Sequence, residues 1–574
     1  MAAECKEGER SAGQEELSEA ENEPRADGKE ADGRGDGGGQ ERPAPPNGSQ
    51  NRCAVSTSNG ATEHKGIFTP FRALGHVTNE VPFAVQAMGS EHFLATSVGN
   101  AFHIYETGKL GLVLVGPFSE SPITALVTSG ELTYFASGTE IVCCRRAKEV
   151  RRQPNTGEGN IMRFNAGSVV FSLTLFGEHL ITLTEDNAMR LWHSANGELY
   201  AEVEFPDYFT ANTIVHPSTY LNKVLVSSRE GGMQLWNIRT KGNGIRAALL
   251  DPCNSHVHVN RCSKIVYDFS RFPTAVTSLV QSPVVDVIAV GLLDGSIVLH
   301  NIKVDETIMT LHQEGRVTAV SFRTDDQHVM ATANAQGDVA LWDLEKRQLR
   351  HMIKGAHDAL IPSLHFVQGQ PLLITSGADN AVKEWIFDSQ DGGARLLKMR
   401  GGHHAPPTLV RFYGEDGTTI LSAARDRSLR SFSVVRDQQS FEISQGSLAK
   451  KAKSYNVKVD ELKLPHITHF SANRLRLAVL AIRCVLIMFS PDPAKQKDWD
   501  NIITVHAGAG VGRTWSLQRK TLGKHTLKMT DNTIPRTTAI SACGNFAFMG
   551  SVNGLIDMFN IQSGLHRRTF GGTD

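Results

Sequence analysis

From Ile67 onward, short apolar runs rich in β-formers alternate with polar turns of Gly, Asn and Asp, and no long stretch carries helical periodicity. One unit recurs. A strand of small residues leads into a tight turn, and the apolar strand that follows ends in an aromatic or in a residue standing in its place. These ends are Tyr105, Cys144, Trp192, Trp236, His300, Trp342, Trp385, Phe432, Trp515 and Phe559. The turns before them include Asp186-Asn187, Asp294-Gly295, Gly337-Asp338, Asp379-Asn380, Asp426-Arg427 and Asn553-Gly554. Such pairs suit hairpins whose central residues need positive φ.

Successive ends lie 39, 48, 44, 64, 42, 43, 47, 83 and 44 residues apart. Most intervals match the roughly 40–45 residues of a WD40 propeller blade. Gly75-His76 and Gly402-His403 read as blade openings, with Ala356-His357 as a variant. Ten ends exceed the roughly 4–8 blades of one ring, so two rings in tandem are expected. The expected fold is therefore all-β: a seven-bladed WD40 β-propeller over 67–392, then an incomplete second propeller over 393–574. The first ring is expected to be the stable unit, since three blades cannot close a ring. The best blade cluster is His357, Thr375 or Ser376 (Ser376 being preferred), Asp379 and Trp385, a structural set in which a buried indole and imidazole find partners.

Composition adds an acidic tail. Residues 1–66 hold 14 acidic and 8 basic side chains, a net of −6, against +5 for the remainder. That tail is rich in Glu, Gly, Asp and Pro and has almost nothing to bury, so it is expected to be disordered. Eight scattered cysteines in 574 residues do not make a disulfide scaffold. The N-terminus lacks the apolar stretch of a secretory signal. The most apolar segment, 475–489, is 15 residues long and contains Arg476 and Arg483. It is too short for the roughly 20 residues of a membrane span, so no membrane contact is expected.

Little else in the chain carries chemistry. His506 to Thr514 has the glycines of a phosphate loop, but Ala507 and Arg513 stand where Gly and Lys are needed, and a strand follows instead of a helix. Cys253, His256, His258 and Cys262 offer zinc-type ligands at a spacing that fits no finger, inside an overlong interval. No nucleophile elbow or metalloprotease helix is present. The reading is a protein that is not an enzyme and has no cofactor or metal. Two basic clusters remain. One is Arg145, Arg146, Lys148, Arg151 and Arg152; the other is Lys450, Lys451, Lys453, Lys458 and Lys463. In the second, Lys450, Lys451 and Lys453 sit in what spacing marks as an extra loop, and they are candidate RNA contacts.

Longer stretches point to a family. His216-Pro217-Ser218-Thr219-Tyr220-Leu221-Asn222-Lys223, VVDVIAVGLLDGSIVLHNIKVDET (284–307), VTAVSFRTD (317–325), GADNAVKEWIFD (377–388), FRALGHVTNEVPF (71–83), DWDNIITVH (498–506) and SACGNFAF (541–548) resemble the U3 small nucleolar RNA-associated protein 21 / WD repeat-containing protein 36 family. The matching pieces are spread from about 68 to 574. This resemblance implies a tandem propeller of the small-subunit processome, in the Pwp2/UTP-B subcomplex. It also implies partners among that subcomplex's other propeller proteins, U3 snoRNP and pre-rRNA, a role in 18S rRNA maturation, and residence in the nucleus and nucleolus. The family is a scaffold with no catalytic or metal position to carry over. Its pattern is broken at about 241–262 and 475–495, and at 151–168, where an opening of the Gly-His type is missing. On the resemblance, further blades and a helical domain would follow. A rival of another class is a propeller substrate receptor of a cullin ubiquitin ligase. Such receptors often carry Trp-Asp-x-Arg at a blade end, whereas Trp236-Asn237-Ile238-Arg239 has Asn and Trp342-Asp343-Leu344-Glu345 lacks Arg.

Overall fold

A computed structural model describes residues 70–149, 162–238, 264–389, 392–414, 416–457, 459–473, 479–480, 487–488 and 499–571. The acidic tail, residues 150–161, the Cys/His cluster at 253–262 and most of 475–495 lie outside them. Thr69–Asp574 forms one compact unit.

Among the described residues ten antiparallel sheets of four or five strands follow one another along the chain, nine of four strands and one of five. The first runs from Ala84–Met88 to Gly111–Val115, the seventh from Ser363–Phe366 to Arg395–Gly401, the eighth from Pro407–Tyr413 to Phe441–Glu442, and the tenth from Pro535–Ile540 to His566–Phe570. These sheets are the propeller blades. The seventh blade thus extends through Gly401, past residue 392.

The repeat seen in the sequence has a backbone counterpart. In the pairing of third with fourth strand, the register shifts immediately before Tyr105, Trp192, Trp236, His300, Trp342, Trp385 and Phe559. A bulge at that point twists the outer strand and re-aims the side chain. The re-aimed residue covers the preceding blade. Trp192 packs with Tyr134 of the second blade, Trp236 with Ile181 of the third, Trp342 with Val287 of the fifth and Trp385 with Ala331 of the sixth. Tyr105 does the same across the ring, packing with Ile374 and Val382 of the seventh blade. Seven blades therefore close. Truncating one such aromatic to Ala would cost about 3–5 kcal/mol.

The last three blades pack in series. Trp515 of the ninth covers Leu421 of the eighth, and Phe559 of the tenth covers Ile503 of the ninth. Among the described residues no buried cluster joins the tenth blade back to the eighth, so these three blades form an open series.

The irregular segments leave the blades intact. In the fourth blade Met233–Asn237 pairs directly with Lys264–Asp268, so the blade keeps its four strands. In the ninth, Ile467–Ala472 pairs with Ile502–His506, and the two short strands Val479–Leu480 and Ile487–Met488 pair only with each other. In the second, Lys148–Glu149 and Arg163–Asn165 both pair with Glu140–Arg145 and share the outer-strand position. No helix among the described residues is long and apolar enough to cross a membrane.

Candidate interaction surfaces

The blade cluster of the seventh blade forms one directed chain of hydrogen bonds. The Trp385 indole can only donate, and it donates to Thr375 Oγ1 at 3.0 Å. The Thr375 hydroxyl then faces His357 Nε2 at 2.8 Å, and His357 Nδ1 lies 2.9 Å from Asp379 Oδ1. Burial holds the His357 pKa below its ordinary value, outweighing the pull of Asp379. Burial pushes Asp379 up, but hydrogen bonds from His357 and from the Asp358 backbone, with the nearby Lys383 charge, outweigh it and the net direction is down. A neutral imidazole donating to a carboxylate satisfies every group. Such a set is structural: its polar atoms are buried and spent on one another.

Thr375, not Ser376, holds the hydroxyl place. Trp385 pairs opposite Leu373, and strand alternation puts Thr375, two residues on, over the same face. The Ser376 hydroxyl is buried and has no hydrogen-bond partner. The same Thr–Trp pair recurs as Thr182–Trp192, Thr332–Trp342 and Thr504–Trp515. A Thr ten residues before the Trp in the third, sixth and seventh blades is a signal present in the sequence but absent from the motif used to read it. The segment from His506 to Thr514 is a blade hairpin, with His506 Nδ1 donating to the Pro465 carbonyl at 2.6 Å. Among the described residues no group of three or more His, Cys, Asp or Glu could hold a metal.

A second surface is the joint between the seven-bladed ring and the eighth blade. Here the two Gly-His pairs of the sequence meet. A Cβ on Gly402 would lie 1.7 Å from the Gly75 carbonyl oxygen, and one on Gly75 would lie 2.5 Å from the Phe432 ring. Phe432 is the eighth blade's aromatic, and it covers the chain's lead-in segment instead of a preceding blade. Arg400, on the seventh blade's outer strand, donates to the Leu110 carbonyl at 2.6 Å, lies over the Tyr105 ring at 5.1 Å and pairs with Asp437. One guanidinium so bridges the first, seventh and eighth blades. At this joint a cleft of about 790 Å³ opens between Leu74–Val81 and the eighth blade, bordered by Pro406, Val410 and Ile420.

The third surface carries the candidate RNA contacts, and it is helical instead of a loop. Helix α1, Leu448–Tyr455, presents Lys450, Lys451 and Lys453 to solvent, and a short α2, Val459–Leu462, follows. Gln445 closes the neck of this excursion. Its amide donates to the Arg427 carbonyl at 2.6 Å, and its oxygen accepts from Leu464 N at 2.9 Å.

Repeating blades, aromatic-covered seams and recurrent Trp–Thr hydrogen bonds, completed once by His and Asp, define a WD-repeat protein built of consecutive β-propellers. Two models of one family match it: "WDR36/Utp21 first beta-propeller" over residues 94–388 and "WDR36/Utp21 second beta-propeller domain" over 480–574. The chain belongs to the WDR36/Utp21 family. It is 38% identical over 517 residues to the U3 small nucleolar RNA-associated protein 21 homolog of Schizosaccharomyces pombe. It is 36% identical over 515 residues to WD repeat-containing protein 36 of Homo sapiens, and 31% over 527 residues to U3 small nucleolar RNA-associated protein 21 of Saccharomyces cerevisiae. Each alignment covers 88% of this chain and 51, 52 and 51% of those relatives in turn. The chain thus spans about half their length.

Proposed function

We propose that this chain is a non-catalytic scaffold of the small-subunit processome, acting in the Pwp2/UTP-B subcomplex in the nucleolus. In this role it supports pre-rRNA processing and 18S rRNA maturation. The observation that carries the reading is family membership across both propellers, with relatives named for association with U3 small nucleolar RNA. The geometry supports a scaffold. The polar clusters inside the blades are consumed in holding strands together, while the loops and rims of ten blades are left for contacts. The partners in this reading are the other propeller proteins of the subcomplex, with U3 snoRNP and pre-rRNA in the same particle.

The test is purification of the tagged chain from growing cells, followed by RNA and protein analysis. U3 RNA and propeller partners are the expected companions, with accumulation of 18S precursors on depletion. Recovery of cullin adaptors without U3 RNA would overturn the proposal, as would a cytoplasmic location for the tagged protein.

A further inference from the structure

The excursion between the eighth and ninth blades carries an unusual set of side chains. Lys450, Lys451 and Lys453 are exposed on α1 and make no ion pair among the described residues. Ala452, between them, is buried. Tyr455 closes the helix with 68% of its surface exposed, and it follows Lys451 by four residues, so the ring and that cation share one helical face. The tip of the neighbouring hairpin adds Arg425 and Arg427, both exposed, and Gln445 holds the neck of the excursion to that tip. On α2 Glu461 is exposed.

Solvated lysines alone fit any polyanion. An exposed flat ring among them adds a preference: to an acidic peptide a phenol offers one hydroxyl donor, whereas to an unpaired base it offers a whole stacking platform. A duplex keeps its bases stacked on one another and has no use for that ring. We infer that the exposed side of α1, Leu448–Tyr455, together with the neighbouring hairpin tip, is a binding surface for single-stranded RNA. Lys450, Lys451 and Lys453 take successive phosphates and Tyr455 stacks a base. This deepens the ribosome-assembly reading, on which it rests only for why RNA is within reach.

The experiment uses the purified full chain and a fluorescent 12-nucleotide oligouridine, titrated over a range of salt. The comparison probes are an RNA duplex of the same length and poly-glutamate. Single-stranded RNA should bind more tightly than either. Replacing Lys450, Lys451 and Lys453 together by Gln should reduce the steepness of log K against log salt by about 2, from roughly 0.7 per phosphate contact on single strands. Tyr455→Ala should weaken oligouridine binding about tenfold and leave the salt slope unchanged. All four positions are exposed, and equal thermal midpoints verify that the variants fold. Unchanged binding in both variants would overturn the inference. So would poly-glutamate binding as well as RNA with no effect of Tyr455→Ala, which would make the surface an acidic-peptide site. Co-purification of U3 RNA in that case would leave the scaffold reading standing while this one fell.

Discussion

Asn380 Oδ1 accepts a hydrogen bond from the backbone N–H of Val77 at 2.7 Å, 303 residues earlier in the chain. The same oxygen takes Thr78 N at 3.3 Å, and the amide nitrogen donates to Gly75 O at 2.9 Å and His403 O at 2.7 Å. Asn187 does the corresponding work at an ordinary seam, accepting from Ala211 N at 2.9 Å and donating to Phe209 O at 3.1 Å. Both residues have positive φ, near 60°, in an Asp-Asn hairpin. At the seventh blade the device serves two neighbours at once. It closes the first ring onto the lead-in segment and steers the chain into the eighth blade.

Asn380→Ala should therefore open the ring where it closes. Losing four hydrogen bonds and placing Ala at positive φ should lower local stability by about 2–4 kcal/mol. Amide hydrogen exchange reads this directly: Val77 and Thr78 should lose protection while the third and fourth blades keep theirs. Asn380→Gly relieves the backbone strain and should recover only the smaller part of the loss. Full protection of Val77 in the Ala variant would show that aromatic packing alone holds the seam.

Gly402→Ala tests the joint. The neighbour its Cβ would strike is the backbone of Gly75, which has no side chain to swing away. The lead-in segment must shift, at a cost of about 1–3 kcal/mol or more. Gly510→Ala is the comparison, because a Cβ there comes no nearer than 4.0 Å to a neighbour, and neither glycine has a positive φ. The Gly402 variant should be cut faster by protease between 402 and 434. Equal cutting of the two variants would show the joint to be slack.

His103 makes the joint sensitive to acid. Burial pushes its pKa down to about 4, assisted by the like charges of His76, Arg72 and Arg400. Neutral His103 faces the Tyr105 hydroxyl at 3.0 Å. The unfolded chain takes up this proton near pH 6.5, the folded chain only near 4. Between those values the unfolded state binds more protons, so stability is complete above the upper value and falls as pH falls. The full loss from this group is about 3 kcal/mol. His103→Gln removes the titration. Its thermal midpoint should drop less than the wild type's between pH 7 and about pH 4.5, and parallel drops would assign the acid sensitivity elsewhere.

Much of this architecture was legible in the chain because blades are local. Each is a run of hairpins whose turns and aromatic ends sit near one another in sequence, so their period declares the fold. The hydroxyl of the blade cluster was legible only to the dipeptide: Thr375 and Ser376 both suit it chemically, and the choice depends on which strand face Trp385 occupies. The joint was not legible. Gly75 and Gly402 each read as a blade opening, and nothing local says that two openings 327 residues apart touch. The lysines at 450–453 read as a loop because spacing marks extra residues without saying how they fold.

Trp236 offers the most direct test of the blade chemistry. Its indole nitrogen is buried without a hydrogen-bond partner among the described residues. The residue ten positions earlier, where other blades have Thr, is Val226, and it is fully buried. Val224 pairs opposite Trp236, as Leu373 pairs opposite Trp385, so position 226 lies over the same face as Thr375 does in its own blade. A hydroxyl there needs an acceptor for its own proton. Thr182 shows how one is found without a histidine: it accepts from Trp192 at 3.2 Å and donates to the Arg190 carbonyl at 3.3 Å, on the paired strand. Gln234 pairs with Val226 in the corresponding position. Val226→Thr is nearly isosteric, so it should stabilise the fourth blade by about 0.5–1.5 kcal/mol, where a buried valine-to-threonine change ordinarily destabilises. Thr375→Val, the reverse change in the seventh blade, should cost more, about 2–4 kcal/mol, because it strands both Trp385 and His357. Thermal unfolding of the two variants beside the wild type gives the signs. A destabilised Val226→Thr would mean that the bare indole nitrogen is already accommodated and that the Thr–Trp bond is incidental to blade stability.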